Sequence, residues 1–290
     1  MFRTLCLAAA VVLTQSAAAQ EPAGPGIPPA GVVPAHEVAS RIWAALDMQA
    51  LMPILRDEAL AEAEAMQENL PESGADRGWL EAVAQIHEPE RLAELFRAGI
   101  ADRLSLYPDQ RLDGALAFYE AEFGQRLVGL ETSARRAMLD PDAEALAREA
   151  FSTAASHQEA RVEQIGRLIE VADLIGPNVA GGLNAAVAFS RGFAEGGGFD
   201  MPLSEEQMLA DAWSQEPEIH SETLGWMEAY LMLAYSPLSD AELERYIGFA
   251  ASPEGHGLAA LLFSGFDRLF QQTSRDLGLA AAGLMRGRDL

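Results

Sequence analysis

Residues 239–269 read SDAELERYIGFAASPEGHGLAALLFSGFDRL, and this stretch predicts two consecutive amphipathic helices. Ser239, followed three residues later by Glu242, forms a capping box, in which each side chain binds the other residue's backbone N–H. Ser252-Pro253 is a second helix start, because serine caps a first turn and proline suits the first helical position. Apolar residues then return every three or four positions, which is the period of an α-helix.

The rest of the chain after residue 35 carries the same pattern. Alanine and leucine are abundant, whereas the β-branched residues that favour strands are scarce. The sequence therefore predicts an all-α protein, a helical bundle or array. The predicted helices are 37–46, 48–69, 76–86, 90–105, 109–121, 123–139, 141–172, 178–195, 205–214, 218–235, 240–250, 253–272 and 275–285.

The N-terminal 35 residues have a different composition. An arginine at position 3, an apolar run over 5–13 and a small-residue site at Ala17–Ala19 are typical of a secretory signal peptide. We expect cleavage after Ala19, so that residues 1–19 are removed and the protein is periplasmic or secreted. Residues 20–35 contain five prolines and three glycines, which predicts an extended linker.

Charge excludes several classes of protein. The 290 residues carry 44 acidic and 20 basic side chains, a formal net charge of −24 at pH 7. A nucleic-acid-binding domain or a polybasic membrane anchor needs clustered positive charge, so neither is expected. The single cysteine, Cys6, excludes a disulfide framework and a cysteine zinc site. No membrane span is expected once the signal is removed.

The stretch around Phe249 has a counterpart about 131 residues upstream. Phe118 and Gly124 match Phe249 and Gly255, with a leucine three residues after each glycine. These matches predict two related helical repeats, 36–140 and 141–290, joined by a long helix over 141–172. Chance similarity between alanine- and leucine-rich helices is the alternative. The other pairs matched at this spacing are Asp109/Asp240, Leu112/Leu243, Leu116/Ile247, Gln125/His256, Leu127/Leu258 and Leu130/Leu261. Upstream, with small gaps, the matched pairs are Arg41/Arg167, Asp47/Asp173, Ile86/Ile219 and His87/His220.

The residues from Ser239 to Gly255 resemble the signature of a family of exported bacterial helical proteins, the domain of unknown function numbered twenty fifty-nine. The shared features are an acidic helix start, an aromatic pair near the helix end and Ser-Pro-x-Gly before a second amphipathic helix. The resemblance covers about 35 residues, 238–272, and is weaker over 108–139, where the Ser-Pro is missing. It implies an exported, all-helical protein of unassigned activity, and it offers no catalytic residues that could be transferred to this chain.

We interpret the matched residues as a packing device rather than a catalytic site. Glycine in the first turn of a helix costs stability relative to alanine, so its presence in both copies indicates a close backbone contact. The expected structural motif comprises Phe118, Gly124, Phe249, Ser252, Pro253 and Gly255.

Catalytic and metal-binding candidates are few, and each has a simpler structural interpretation. His87 with Glu88 and Glu90, and His220 with its neighbouring glutamates, could bind a metal, but both sit at helix starts where acids favour the helix dipole. His157 lies near Ser152 and Ser156 without the tight glycine turn of a serine hydrolase. We therefore expect no catalytic residue, metal or cofactor.

Three further features are expected to be structural. The glutamates 58, 62, 64 and 68 predict a solvated helix face, or alternatively a surface for a cation or a basic partner. The uncharged stretch 174–190 predicts a buried helix rather than a membrane insertion. The four tryptophans, at positions 43, 79, 213 and 226, are expected to anchor the core, or to line a cleft between the repeats.

The functional expectation is a non-enzymatic exported protein that binds a protein or small-molecule partner through a groove between the repeats. Two alternatives stay open. A lipid-proximal envelope protein would need a cavity of the size of a lipid tail. A hydrolase would need a cleft with converging histidine, aspartate and serine side chains.

Overall fold

The computed structural model describes residues 35–68, 76–107 and 112–286, and these residues form thirteen α-helices and no strand. The expected all-α fold is therefore confirmed. The expected signal peptide and all but the last residue of the linker lie outside the described residues. The helices are α1 (Ala35–Ala45), α2 (Met48–Glu68), α3 (Asp76–Ile86), α4 (Pro89–Leu106), α5 (Asp113–Glu120), α6 (Glu122–Ala137), α7 (Pro141–Ser156), α8 (Ala160–Val171), α9 (Gly176–Glu195), α10 (Glu205–Ser214), α11 (Glu216–Tyr235), α12 (Asp240–Ala250) and α13 (Pro253–Arg286).

Several helix starts follow from their caps as the sequence indicates. Ser204 and Ser239 form complete capping boxes with Gln207 and Glu242 at the starts of α10 and α12. Asp140 accepts a hydrogen bond of 3.0 Å from the backbone N–H of Asp142 at the start of α7. Each cap satisfies backbone donors that a helix start leaves without an internal partner.

The buried apolar residues that the structure describes form two main cores, and each core contains a helix from the other half of the chain. One core joins α1, α2, α4 and α5 to α13, which contributes Leu258, Leu261, Leu262, Phe266 and Leu269. The other core joins α8, α9, α11 and α12 to α6, which contributes Leu127 and Ala134. We refer to α1–α6 as the N-terminal half and to α8–α13 as the C-terminal half. The last helix of each half therefore also contributes buried side chains to the core of the other half.

Helix α13 is the longest helix that the structure describes, and it packs against helices of both halves. Its 34 residues would span about 50 Å at 1.5 Å per residue. It runs parallel to α9, since Asn184 binds Asp267 and Glu195 binds Arg275. Gly192 allows the closest approach between these helices, because a Cβ at that position would overlap the carbonyl oxygen of Arg275. The sequence predicts two helices over 253–272 and 275–285, but the structure has a single helix there.

The expected continuous helix over 141–172 is wrong, because the chain turns between α7 and α8. The backbone N–H of Glu159 donates to the carbonyl oxygen of Ala154, and that of Gln158 to Ala155, both at 3.1 Å. These two bonds define a Schellman C-cap, which places the residue after the cap in the left-handed region. Gln158 has a φ of 56°. Glycine usually marks this position, so the sequence gives no stop signal here.

The predictions for the four tryptophans and for the uncharged stretch 174–190 agree with the structure only in part. Trp43 and Trp226 are buried and Trp79 is partly buried, but Trp213 is 64% exposed, so its expected core role is wrong. Most of 174–190 lies in α9, which buries a run of small and apolar residues. None of the helices that the structure describes is long and apolar enough to cross a membrane.

The turn at Gln158 gives a direct test of the α7–α8 break. Glycine adopts a φ of 56° without the steric cost that a Cβ imposes, so Gln158→Gly should raise the free energy of unfolding by about 0.5–1 kcal/mol. Urea denaturation of the variant and the parent measures the difference. A continuous helix over 141–172 would give the opposite sign, a loss of about 1 kcal/mol, because glycine is unfavourable in a helix interior.

Candidate functional site

The expected structural motif lies where α12 ends and α13 begins. The Ser252 hydroxyl donates to the carbonyl oxygen of Phe249 at 2.6 Å and accepts from the backbone N–H of Gly255 at 3.1 Å. Gly255 is buried, and a Cβ there would overlap the same carbonyl oxygen. Pro253 is the first residue of α13, where its missing N–H leaves no helical bond unmade. The close approach of α13 to the end of α12 thus leaves room only for glycine.

The junction between α5 and α6 has a related geometry without the Ser-Pro. Gly124 is buried, and a Cβ there would overlap the carbonyl oxygen of Phe118. The Gln125 side chain donates from Nε2 to the carbonyl oxygens of Tyr119 and Ala45, each at 2.7 Å. The amide thereby ties the end of α5 to the end of α1.

The two junctions contact each other through their phenylalanines. The rings of Phe118 and Phe249 stack with centroids 3.7 Å apart and planes 3° from parallel. Both side chains are partly buried, and Tyr119 packs edge-on to Phe249 with ring centroids 5.6 Å apart. We call the contact between residues 118–124 and 249–255 the seam. The seam joins the N-terminal and C-terminal halves.

A group of hydroxyls and one carboxyl lies beside the seam. It consists of Tyr119, Glu131, Tyr230, Tyr235 and Tyr246, and we call it the tyrosine–glutamate cluster. The Tyr235 hydroxyl donates to Glu131 Oε1 at 2.7 Å, and the Tyr230 hydroxyl donates to the Glu131 backbone oxygen at 3.2 Å. The hydroxyls of Tyr119 and Tyr246 lie 3.3 Å apart. The cluster links α5 and α6 to α11 and α12.

The surroundings of the cluster favour the protonated form of each group. Burial raises the pKa of Glu131 to about 7, although hydrogen bonds from Tyr235 and Tyr246 favour its carboxylate. Burial also raises the pKa of Tyr119, Tyr235 and Tyr246, and the Glu131 charge adds to the effect. The tyrosines therefore stay neutral, and Glu131 can take up or release a proton near neutral pH.

The nearest buried cation, Arg135, is engaged elsewhere. It lies one turn after Glu131 on α6 and binds Glu58 of α2 through two hydrogen bonds of 2.7 and 2.8 Å. The side chains of Arg135 and Glu58 are 7% and 12% exposed. The expectation that Glu58 belongs to a solvated face is therefore wrong. Glu58 neutralises a buried arginine, which would otherwise be strongly destabilising.

A small cavity lies between the seam and the cluster. Its lining includes Tyr119, Tyr235, Tyr246, Phe249 and Gly255, and its volume is about 10 Å³. A volume of this size holds about one water molecule, and the tyrosine hydroxyls supply polar partners for it. The seam therefore offers no room for a small-molecule substrate at this point.

The histidine candidates belong to different segments of the fold: His87 follows α3, His157 follows α7 and His220 lies in α11. His87 is buried with its Nδ1 at 2.9 Å from the carbonyl oxygen of Val83, and burial lowers its pKa. His220 is exposed on α11, and His157 is exposed next to Glu159 at the end of α7. His256 Nε2 lies 3.2 Å from the carbonyl oxygen of Val171. Within the described residues, no three metal-ligating side chains come together.

Sequence reasoning missed the tyrosine–glutamate cluster. One signal was present: the chain has five tyrosines, and three of them fall within residues 230–246. A polar-ended aromatic side chain in a buried helix needs a hydrogen-bond partner, so such a concentration indicates a buried polar group nearby. Nothing in the sequence indicates that Glu131, more than 90 residues away, is that partner.

No protein-family model, curated protein or solved structure matches the chain.

The buried glycine of the seam can be tested against an exposed glycine one helix earlier. Gly255→Ala should lower the free energy of unfolding, by about 1–3 kcal/mol, because the added methyl group overlaps a backbone oxygen. Gly248→Ala is the matched control, since Gly248 is exposed with open space around it and alanine favours α12 by about 1 kcal/mol. Thermal melts compare the two. A stabilising Gly255→Ala would contradict the close contact.

Glu131 predicts a pH-dependent stability. Because its folded pKa of about 7 lies above the unfolded value near 4.5, the carboxyl stabilises the fold fully below pH 4.5, and this stabilisation is lost as pH rises through 7. Glu131→Gln should therefore gain stability relative to the parent over this range, by up to about 3 kcal/mol. Chemical denaturation at several pH values measures the difference, with the exposed Glu149→Gln as control. A constant difference between Glu131→Gln and the parent would contradict the assignment.

Proposed function

We propose that the protein is an exported, non-enzymatic protein that binds a protein partner through its outer surface. The observation that carries this proposal is the contrast between the closed seam and the exposed apolar side chains elsewhere. Stacked rings fill the seam, and the cavity beside them has a volume of only about 10 Å³. In contrast, Trp213 is 64% exposed and Met201 is 76% exposed. Exposed aromatic side chains of this size are typical of protein interfaces.

Export is part of the same proposal. It is supported by the signal-like segment 1–19 and by the proline-rich segment 20–35, both read from the sequence. Relationship to the exported helical family named above is also proposed, on the residues from Ser239 to Gly255.

We further propose that the chain contains two related copies, 36–140 and 141–290, with α1–α6 corresponding to α8–α13. The backbone supports the correspondence. Asp47 and Asp173, paired by the sequence, both lie two residues beyond the end of a helix, with φ values of 45° and 42°. Non-glycine residues adopt this conformation rarely, and both aspartates lead into the next long helix.

Side-chain contacts support the correspondence too. Gln125 binds the carbonyl oxygen of the last residue of α1, and its partner in the sequence match, His256, binds that of the last residue of α8. Arg41 lies 3.9 Å from Asp113 of α5, and its match Arg167 binds Glu244 of α12. In each copy an arginine of the first helix thus meets an acid of the fifth helix.

The seam has the form that a two-fold relation between the copies would give. In such an arrangement, a residue near the axis contacts its own counterpart, and the contacts of all other residues occur in reciprocal pairs. Phe118 stacks on its match Phe249. Leu127 of α6 is buried in the core of the C-terminal half, and its match Leu258 of α13 is buried in the core of the N-terminal half.

Native purification tests the proposed function. Protein recovered from the cell envelope without denaturation should begin at Gln20 and run, in size-exclusion chromatography with light scattering, as a complex of defined stoichiometry with a second protein. Intact mass and peptide sequencing establish both points. Recovery of a chain that keeps residues 1–19 would contradict export. Recovery as a monomer after in-cell crosslinking would contradict partner binding.

A further inference from the structure

One face of α10 carries large apolar side chains in solvent. Leu209 and Trp213 are four residues apart and therefore lie on the same face of the helix, with exposures of 42% and 64%. The neighbouring face, about 100° around the helix, is the one that packs, since Met208 and Ala212 are buried. Met201, shortly before the helix, is 76% exposed. A helix that is held by one apolar face and presents a second is expected to bury the second face in a complex.

The N-terminal half shows what covers the equivalent helix. Under the proposed correspondence, α3 matches α10, and α3 packs against the C-terminal part of α13, where Leu284 lies against Gly78. Helix α6 is the match of α13, but it has only 16 residues, whereas α13 has 34. After α6 the chain turns into α7 instead of continuing as a helix in the same direction. The helical segment that covers α3 therefore has no counterpart over α10.

The chain around this face is strongly acidic. Between Arg191 and Arg245 the sequence contains twelve acidic residues and no arginine or lysine. Among these acids, Glu206 is exposed three residues before Leu209 and seven before Trp213, so it borders their face, and Glu218 is exposed at the start of α11. Glu205, four residues before Leu209, is paired with Arg191. An apolar stripe with an acidic rim complements an apolar stripe with a basic rim.

We propose that the Leu209–Trp213 face of α10 binds a basic amphipathic helix of a partner protein, in the place that α13 occupies over α3. This inference rests on the proposed function and names the surface and the chemistry of its partner. The apolar side chains of the partner helix would cover Trp213 and Leu209, and its lysines or arginines would face the neighbouring acidic residues. A second copy of this chain, with its own charge of −24, and an anionic membrane are both electrostatically unfavourable occupants.

Titration of the full-length protein with a defined probe tests the proposal. The probe is a synthetic amphipathic helix of leucine and lysine, about five turns long, and calorimetry measures its dissociation constant. Trp213→Ala should weaken binding at least about tenfold, and Leu209→Ala should weaken it in the same direction. Leu146→Ala, at an equally exposed leucine on α7, is the matched control and should bind like the parent. Binding should weaken with added salt.

The other outcomes overturn the proposal in distinguishable ways. Equal affinities of Trp213→Ala and the parent would remove the α10 face as the site but leave the native-complex test of the proposed function standing. Tight binding of the matching leucine–glutamate helix would contradict the charge argument. Trp213-dependent self-association in sedimentation, or Trp213-dependent binding to phosphatidylglycerol vesicles, would assign the face to a second copy or to a membrane. Circular dichroism melts of each variant verify that the fold is kept.

Discussion

The structure depends on one packing constraint: neither half of the chain closes its own core. Helix α13 supplies five buried apolar side chains to the core of α1, α2, α4 and α5, while α6 places Leu127 and Ala134 in the core of the other half. Without these helices, each core would expose a wide apolar surface to water, at a cost of about 25 cal/mol per Å². The halves must therefore fold together, and the point where the chain crosses between them must be tightly packed.

The seam shows how that crossing is made. Each of the helices that cross, α6 and α13, starts within a few residues of the preceding helix, so its first turn lies against the carbonyl oxygen of Phe118 or Phe249. Glycine at positions 124 and 255 is what permits this approach, and the two phenylalanines fill the space between the junctions. The centre of the molecule is closed in this way, whereas α10 presents Trp213 at the exterior.

The tyrosine–glutamate cluster introduces polarity into this apolar contact. A buried carboxyl that is ionised at neutral pH costs stability, and Tyr235 and Tyr246 offset part of the cost by hydrogen-bonding the Glu131 carboxyl. Arg135, one turn away, does not neutralise Glu131, because Glu58 holds it. Through Tyr230 and Tyr235, the cluster connects α11 to Glu131 of α6 by two hydrogen bonds.

The sequence predicts the helices well and the contacts between them poorly, for identifiable reasons. Capping boxes at Ser204 and Ser239 are local, so the starts of α10 and α12 follow directly from them. The sequence does not indicate the break at Gln158, because its Schellman cap lacks glycine. It predicts a core position for Trp213, because periodicity alone does not say which apolar face of a helix is buried. The Glu58–Arg135 pair and the Glu131 cluster join residues that are far apart in sequence. Local patterns of spacing and composition in one sequence do not indicate such contacts.

The exchange of α6 and α13 is tested most directly by native-state hydrogen exchange on two matched variants, Leu127→Ala and Leu258→Ala. Both leucines are essentially fully buried, and each truncation should cost about 2–5 kcal/mol. If each half is completed by the other's last helix, Leu127→Ala will reduce amide protection most in α8, α11 and α12, and Leu258→Ala most in α1, α4 and α5. Protection lost instead in the half to which each leucine belongs by sequence would contradict the exchange.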